Sequence, residues 1–398
     1  MDLDFEKFAL LLLISGVVAM LTRRLHFPYS VGLVAAGILL TLLPLRPTVV
    51  LTKDLLFTAL LPPLIFEAAY ALDWKGLRKQ LPVVLVLATL GVVLSAGATA
   101  AGMHYLVSWT WTSALLFGVL IAATDPVSVV ATFKEAKVHG RLLMLVESES
   151  LLNDGTAAVL FAIVVMLAQG ETLTAGPVAW KLLTTIVGSL LCGAIVAAAV
   201  LLLSGQTEDH LVEITFSTVA AYGSFLLAEQ FHLSGVLATL TAALMLGNIG
   251  PRGAITARGR EAVEAFWEYA AFVANSLVFL LIGIREAKQD FISGWPSIVT
   301  AVVVVVLARS LAVYPCCALF LRSNLRVSAK HQHVLFWGGL RGALALALAL
   351  GIPPKFPQRQ AIITASFAVV AFSVFVQGLT LTPLLRRFGE IPRRGAAT

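Results

Sequence analysis

Asp125 stands before a proline in IAATDPVSVVATF, and Asp154 follows an asparagine in ESESLLNDGTAAVLF. Glu67, Arg309 and Arg341 complete a set of five ionisable residues buried in apolar runs. Each lies about ten to fifteen residues into its run, about 15–22 Å from a membrane face at helical rise. That is close to the middle of a hydrocarbon core about 30 Å thick. A charge there costs on the order of 3 kcal/mol, and five unpaired charges roughly 15 kcal/mol. Such residues must pair with one another, face water, or both. A set of ion pairs that only holds helices together is the plain structural alternative. The carboxylates outnumber the arginines, however, so a mobile cation or proton is expected to neutralise the excess.

At helical spacing the residues around Asp154 fall into two seams. Glu147, Ser150 and Asp154, at i, i+3 and i+7, share one face, and Glu149 and Asn153 share a neighbouring one. The first seam offers carboxylate and hydroxyl oxygens to a small cation. The second positions Asn153 and directs Glu149 towards an arginine. Glu147, nearer the end of the helix, reads as a solvated residue of an entrance funnel.

The elements that carry these residues are helices in lipid. Of 398 residues 59% are hydrophobic and 13% charged, and the mean hydropathy is +0.92. A soluble domain carries about 25% charged residues. Apolar runs fall at 7–22, 28–45, 54–72, 81–105, 110–134, 141–169, 174–204, 210–229, 231–249, 262–285, 296–321, 331–351 and 359–385. The sequence therefore predicts an all-α polytopic membrane protein with about thirteen transmembrane helices. Alternating the loops places roughly two-thirds of the 28 Lys and Arg residues on one side, which should be cytoplasmic. The N-terminus is then outside and the C-terminus inside. The acidic start MDLDFEKFALLLL does not read as a cleavable signal peptide.

The net charge of +6 follows this topology, and no continuous basic face suggests a nucleic-acid partner. Cys192, Cys316 and Cys317 lie inside apolar runs, without metal-type or disulfide spacing. His331 and His333 are the sole histidines spaced closely enough to suggest a metal, and they sit at a loop edge.

Two runs look broken. Pro126 interrupts the fifth just after Thr124 and Asp125, where a new half-helix would want a cap. Gly338, Gly339 and Gly342 surround Arg341 in the twelfth. Helices 4–6 and 11–13 enter from opposite sides, and the middle member of each triplet carries the break. This is the pattern of inverted repeats with discontinuous helices meeting at the midplane.

LLPPLIFEAAY, ATDPVSVVATFKE, ESLLNDGTAAVLF, FWEYAAFVANSLVFLLIG, ARSLAVYP and GGLRGALALALAL together resemble the monovalent cation/proton antiporters. The similar branch holds bacterial sodium/proton antiporters and animal sodium/proton exchangers. The resemblance implies an alternating-access homodimer. Residues 1–80 and 207–290 would form the dimerisation domain, 81–169 and 291–388 a moving core, 170–206 a linking helix and 389–398 a short cytoplasmic tail. It implies that Asp154 binds sodium and proton in competition, that Asp125, Thr124 and Ser150 complete the sodium site, and that Asn153 supports it. Glu149 would pair with Arg309, Glu67 would face the site from the dimerisation domain, and Arg341 would support the core. Asn153 places the chain with the electroneutral members. The resemblance carries the expectation that the long regulatory tail of the animal exchangers is absent, which would fit a prokaryotic source.

The expected function is one-for-one sodium/proton exchange across the plasma membrane, with no cofactor beyond the transported ions. Potassium/proton or lithium/proton exchange and proton-coupled solute uptake are the nearest rivals. A channel would need a continuous pore with charge rings. An intramembrane hydrolase would need a nucleophile with its base, or metal ligands.

Overall fold

The computed structural model describes residues 5–25, 27–42, 51–125, 129, 130, 133, 140–168, 175–292 and 294–391. Every regular element among them is helical. A chain in hydrocarbon must satisfy its backbone internally, and helices do so within one segment. Along the chain these are α1 (Phe5–Leu25), α2 (Tyr29–Leu42), α3 (Leu55–Ala71), α4 (Trp74–Val107), α5 (Trp111–Ala122), α6 (Arg141–Ala168) and α7 (Ala175–Ser204). There follow α8 (His210–Gln230), α9 (Gly235–Ile249), α10 (Ala257–Glu286), α11 (Trp295–Ala318), α12 (Ala329–Trp337), α13 (Ala343–Leu350) and α14 (Arg359–Phe388). Eight are long and apolar enough to cross a membrane, and α2, α3 and α5 are shorter apolar helices.

The outward faces confirm the solvent. On α11, Val299, Val303, Leu307 and Leu311 repeat every fourth residue and are all at least half exposed. On α7, Trp180, Leu183, Leu191, Ile195 and Leu202 are exposed as well. Such continuous apolar stripes are foreign to a water-soluble surface and fit lipid tails.

Contacts divide the chain into two compact units, one of residues 1–53, 82–153 and 276–398, the other of 54–81 and 154–275. In the first, α4 packs along both α5 and α11, and α14 packs on α11 and α13. This unit holds both helix interruptions. α5 stops at Ala122, and Ala123 turns to an extended conformation. The expected break at Pro126 falls next to this stop, and Pro126 itself lies outside the described residues. α12 stops at Trp337 and α13 starts at Ala343, so the Gly-rich stretch interrupts the twelfth span as the sequence predicts.

In the second unit, α9 packs on α3, α7 and α8. Phe66 packs on Trp267 in a tilted ring pair with centroids 4.4 Å apart, and the fully buried Trp267 donates its indole N–H to Ser217 Oγ at 2.9 Å. Buried Glu213 accepts from the Thr256 N–H at 2.8 Å and from its hydroxyl at 3.1 Å, closing the turn before α10.

Candidate functional site

The stop of α5 exposes two kinds of backbone group: the last carbonyls of the helix and the first N–H groups beyond it. Both find partners inside the first unit. Arg341 Nη1 donates to the carbonyls of Ala122 at 3.2 Å and Ala123 at 3.3 Å. A guanidinium there also meets the negative end of the helix dipole. Asn153 Oδ1 accepts the Thr124 N–H at 3.2 Å, and the Asp125 N–H donates to the Leu340 carbonyl at 2.7 Å. The last bond joins the two interruptions directly, backbone to backbone.

α12 ends in the same manner. Arg309 Nη2 donates to the Leu335 carbonyl at 3.0 Å. The same guanidinium grips Glu149 with two parallel bonds of 2.9 Å each. Arg309 is 5% exposed and Glu149 2%, so this is a buried, bidentate pair. Each arginine therefore serves the carboxyl end of one half-helix.

The polar cluster grows from this frame. Asn153 Nδ2 donates to Thr124 Oγ1 at 2.6 Å and to Glu149 Oε1 at 3.0 Å. Thr124 Oγ1 and Ser150 Oγ share a hydrogen bond of 2.9 Å. Asn153, Thr124 and Ser150 are at most 3% exposed. Asn153 is the hub: its amide links the charge pair to the hydroxyl pair and to the interrupted backbone.

Glycines make the close approaches possible. A Cβ on Gly342 would lie 2.5 Å from Asp125 Cβ and 2.6 Å from Asp125 Oδ2. Gly342 is the residue before α13, so the Asp125 carboxylate sits at the positive end of that half-helix. A Cβ on Gly339 would lie 2.6 Å from Arg309 Nε. No larger residue fits either place without moving a charged side chain.

Two of the remaining sequence candidates, Asp154 and Glu67, belong to the second unit. Asp154 is its first residue on α6, half-buried, one turn beyond Ser150. Glu67 lies half-buried on α3. Glu147 is half-buried on the first-unit part of α6. The residues that sequence reasoning missed contribute backbone alone: Ala122, Ala123, Leu335 and Leu340. No side-chain type marks a carbonyl. The only available signal was the requirement that each broken helix end find donors.

The fold and this cluster define a class: a multi-pass membrane carrier in which two interrupted helices meet and satisfy one another. Residues 9–387 match the family described as sodium/hydrogen exchanger, transmembrane, and the chain belongs to that family. It is 37% identical over 400 residues to the Na(+)/H(+) antiporter ApNhaP of Aphanothece halophytica, covering 98% of this chain and 76% of that one. It is 33% identical over 398 residues to the Na(+)/H(+) antiporter NhaH of Halobacillus aidingensis, covering 97% and 98%. The fold matches that of the sodium proton antiporter MjNhaP1 from Methanocaldococcus jannaschii with a TM-score of 0.79 at 18% identity, over 99% of this chain and all of that one.

Proposed function

We propose that this chain is a sodium/proton antiporter working by alternating access, with sodium and proton competing for Asp154. The observation that carries the reading is the family match over nearly the whole chain, with relatives named as Na(+)/H(+) antiporters at 33–37% identity. The local chemistry fits it. Carboxylate and hydroxyl oxygens are hard ligands suited to an alkali cation, and a carboxylate also takes a proton. Sodium or a proton can neutralise the same group. Only the neutralised site crosses a low-dielectric barrier cheaply.

In this reading Asp154 is the exchanging carboxylate, and Thr124, Ser150 and Asp125 shape the sodium site. Asn153 holds Thr124 and Glu149 in place. The Glu149–Arg309 pair and Arg341 are fixed scaffolding, each tied to a half-helix end. Glu67 faces the site from the dimerisation domain in this reading. The charge carried is one per step, since residue 153 is a neutral amide, so exchange is electroneutral. The protein works as a homodimer in the plasma membrane, N-terminus outside and C-terminus in the cytoplasm, with residues 1–80 and 207–290 as the dimerisation domain. The orientation rests on the Lys and Arg asymmetry.

The test is exchange in proteoliposomes, with internal pH followed as sodium, lithium and potassium are added in turn. Sodium-driven pH change that ignores a valinomycin–potassium clamp of the membrane potential is the expected result. A response to potassium alone would reassign the cation. A rate or endpoint that follows the clamp would mean that a second charge is carried: 100 mV is worth about 2.3 kcal/mol per charge.

A further inference from the structure

A cavity of about 640 Å³ opens in the first unit, among helix ends. The last turn of α10 and the following loop supply Arg285, Lys288, Gln289 and Asp290. The first turns of α11 and α14 supply Ser297 and Ala361, and Trp109, just before α5, closes one wall. None of the groups assigned to sodium/proton exchange lines it.

Its electrostatics are those of an anion site. Two cations face one carboxylate, and Asp290 Oδ1 already accepts the Ile292 N–H at 3.1 Å. Arg285 Nε is buried with no hydrogen-bond partner among the described residues. Glu286, the next residue, does not line the cavity, and its own Oε1 is likewise buried without a partner. Gly294 and Gln358, the residues before α11 and α14, provide no side-chain cap. The first turns of two long helices, α11 and α14, line the same space as the two cations, and a helix N-terminus favours negative charge. A sodium ion would be repelled from such a lining, so this is not a stretch of cation pathway.

The rim indicates where the anion comes from. Ile292, in the segment that leads into α11, is 86% exposed, and Trp295, the first residue of α11, is 63% exposed. Large apolar side chains beside a cationic hollow, at the level where helices end, match the headgroup boundary of a bilayer. We propose that this cavity binds a phosphate ester, the headgroup of an anionic phospholipid, with Arg285 and Lys288 as its ligands. Gln289 takes part through its amide: its Oε1 accepts from Thr364 Oγ1 at 3.0 Å, which orients the NH₂ group as a donor.

The test uses the full chain in detergent, with lipid binding counted by native mass spectrometry and checked by thermal unfolding. The probes are dioleoylphosphatidylglycerol, dioleoylphosphatidylcholine and inorganic phosphate. Phosphatidylglycerol should bind and raise the melting temperature, and phosphatidylcholine should do neither. Arg285→Gln should weaken binding about tenfold, and Lys288→Gln about threefold, in line with lost charge-assisted hydrogen bonds. Lys288 is exposed, so its variant folds even where the Arg285 variant does not, and Arg285→Lys serves as a second probe of that position. Inorganic phosphate that binds and is lost in the same variants keeps the phosphate site and assigns it to a soluble ester. Phosphatidylglycerol bound equally by wild type and Lys288→Gln, or not bound by wild type, overturns the proposal. Neither readout depends on ion exchange, so failure here leaves the antiport reading untouched.

Discussion

The two helix interruptions solve one problem with different materials. At the end of α5, side chains do the work: Asn153 and Arg341 take up the freed backbone, and Thr124 and Ser150 join the same cluster. At the end of α12, Arg309 takes the Leu335 carbonyl and glycines do the rest: Gly339 and Gly342 leave room for Arg309 and Asp125 to come close, and the Leu340 carbonyl receives the Asp125 N–H. The oxygens that could hold an ion thus gather at the first interruption. The second supplies shape, a helix N-terminus and a backbone acceptor. A carrier needs both, since ligands that can exchange an ion must be held by groups that never do.

If this division is right, damage should differ by side. The largest effect is expected at the pair that spans both. Glu149→Gln leaves Arg309 buried with a neutral partner and should cost about 3–5 kcal/mol of stability, and Arg309→Gln similarly. The double variant should be more stable than either single one, by thermal unfolding in detergent. Simple addition of the two losses would mean that the pair is not coupled.

Next comes the glycine side. Gly342→Ala forces a methyl group onto Asp125 and should cost about 1–3 kcal/mol, with loss of exchange. Gly16→Ala, where a Cβ meets nothing within 4 Å, is the matched control and should be neutral or slightly stabilising. Equal behaviour of the two would remove the argument from close approach.

The smallest effect belongs to a single hydroxyl on the side-chain side. Ser150→Ala removes one partner of Thr124 and should cost about 1 kcal/mol. Its signature is functional: the apparent sodium affinity should fall while Asn153 still holds Thr124. A Ser150→Ala variant with lower stability but unchanged sodium dependence would make the hydroxyl purely structural.

Much of this fold can be read from hydropathy, and its misses have physical reasons. The fourth run begins at Leu81 by composition, yet α4 begins at Trp74. Lys75, Arg78 and Lys79 break the apolar run but not the helix, whose start is secured by Asp73 accepting the Lys75 and Gly76 N–H groups. Likewise α10 begins at Ala257, five residues before its apolar run, with Arg260 and Glu264 paired across one turn. The wider π-turns at Leu55–Leu60, Leu87–Gly91 and Ser373–Gly378 had no signal, because one extra residue per turn leaves composition unchanged. Within the cluster, side chains with charge at mid-depth were legible, since each was too costly to leave alone. The carbonyls that Arg309 and Arg341 serve were not, since every residue has one.

The central claim is that one carboxylate, Asp154, exchanges sodium for a proton while the surrounding charges stay fixed. The direct measurement is sodium-driven proton flux in proteoliposomes as a function of sodium concentration and pH, for the wild type and for Asp154→Asn. In the wild type, apparent sodium affinity should weaken about tenfold per pH unit on the acid side, as expected for two cations sharing one site. Asp154→Asn should fold, keep its melting temperature and carry no flux. Near-normal exchange by that variant, or sodium affinity independent of pH in the wild type, would contradict the account.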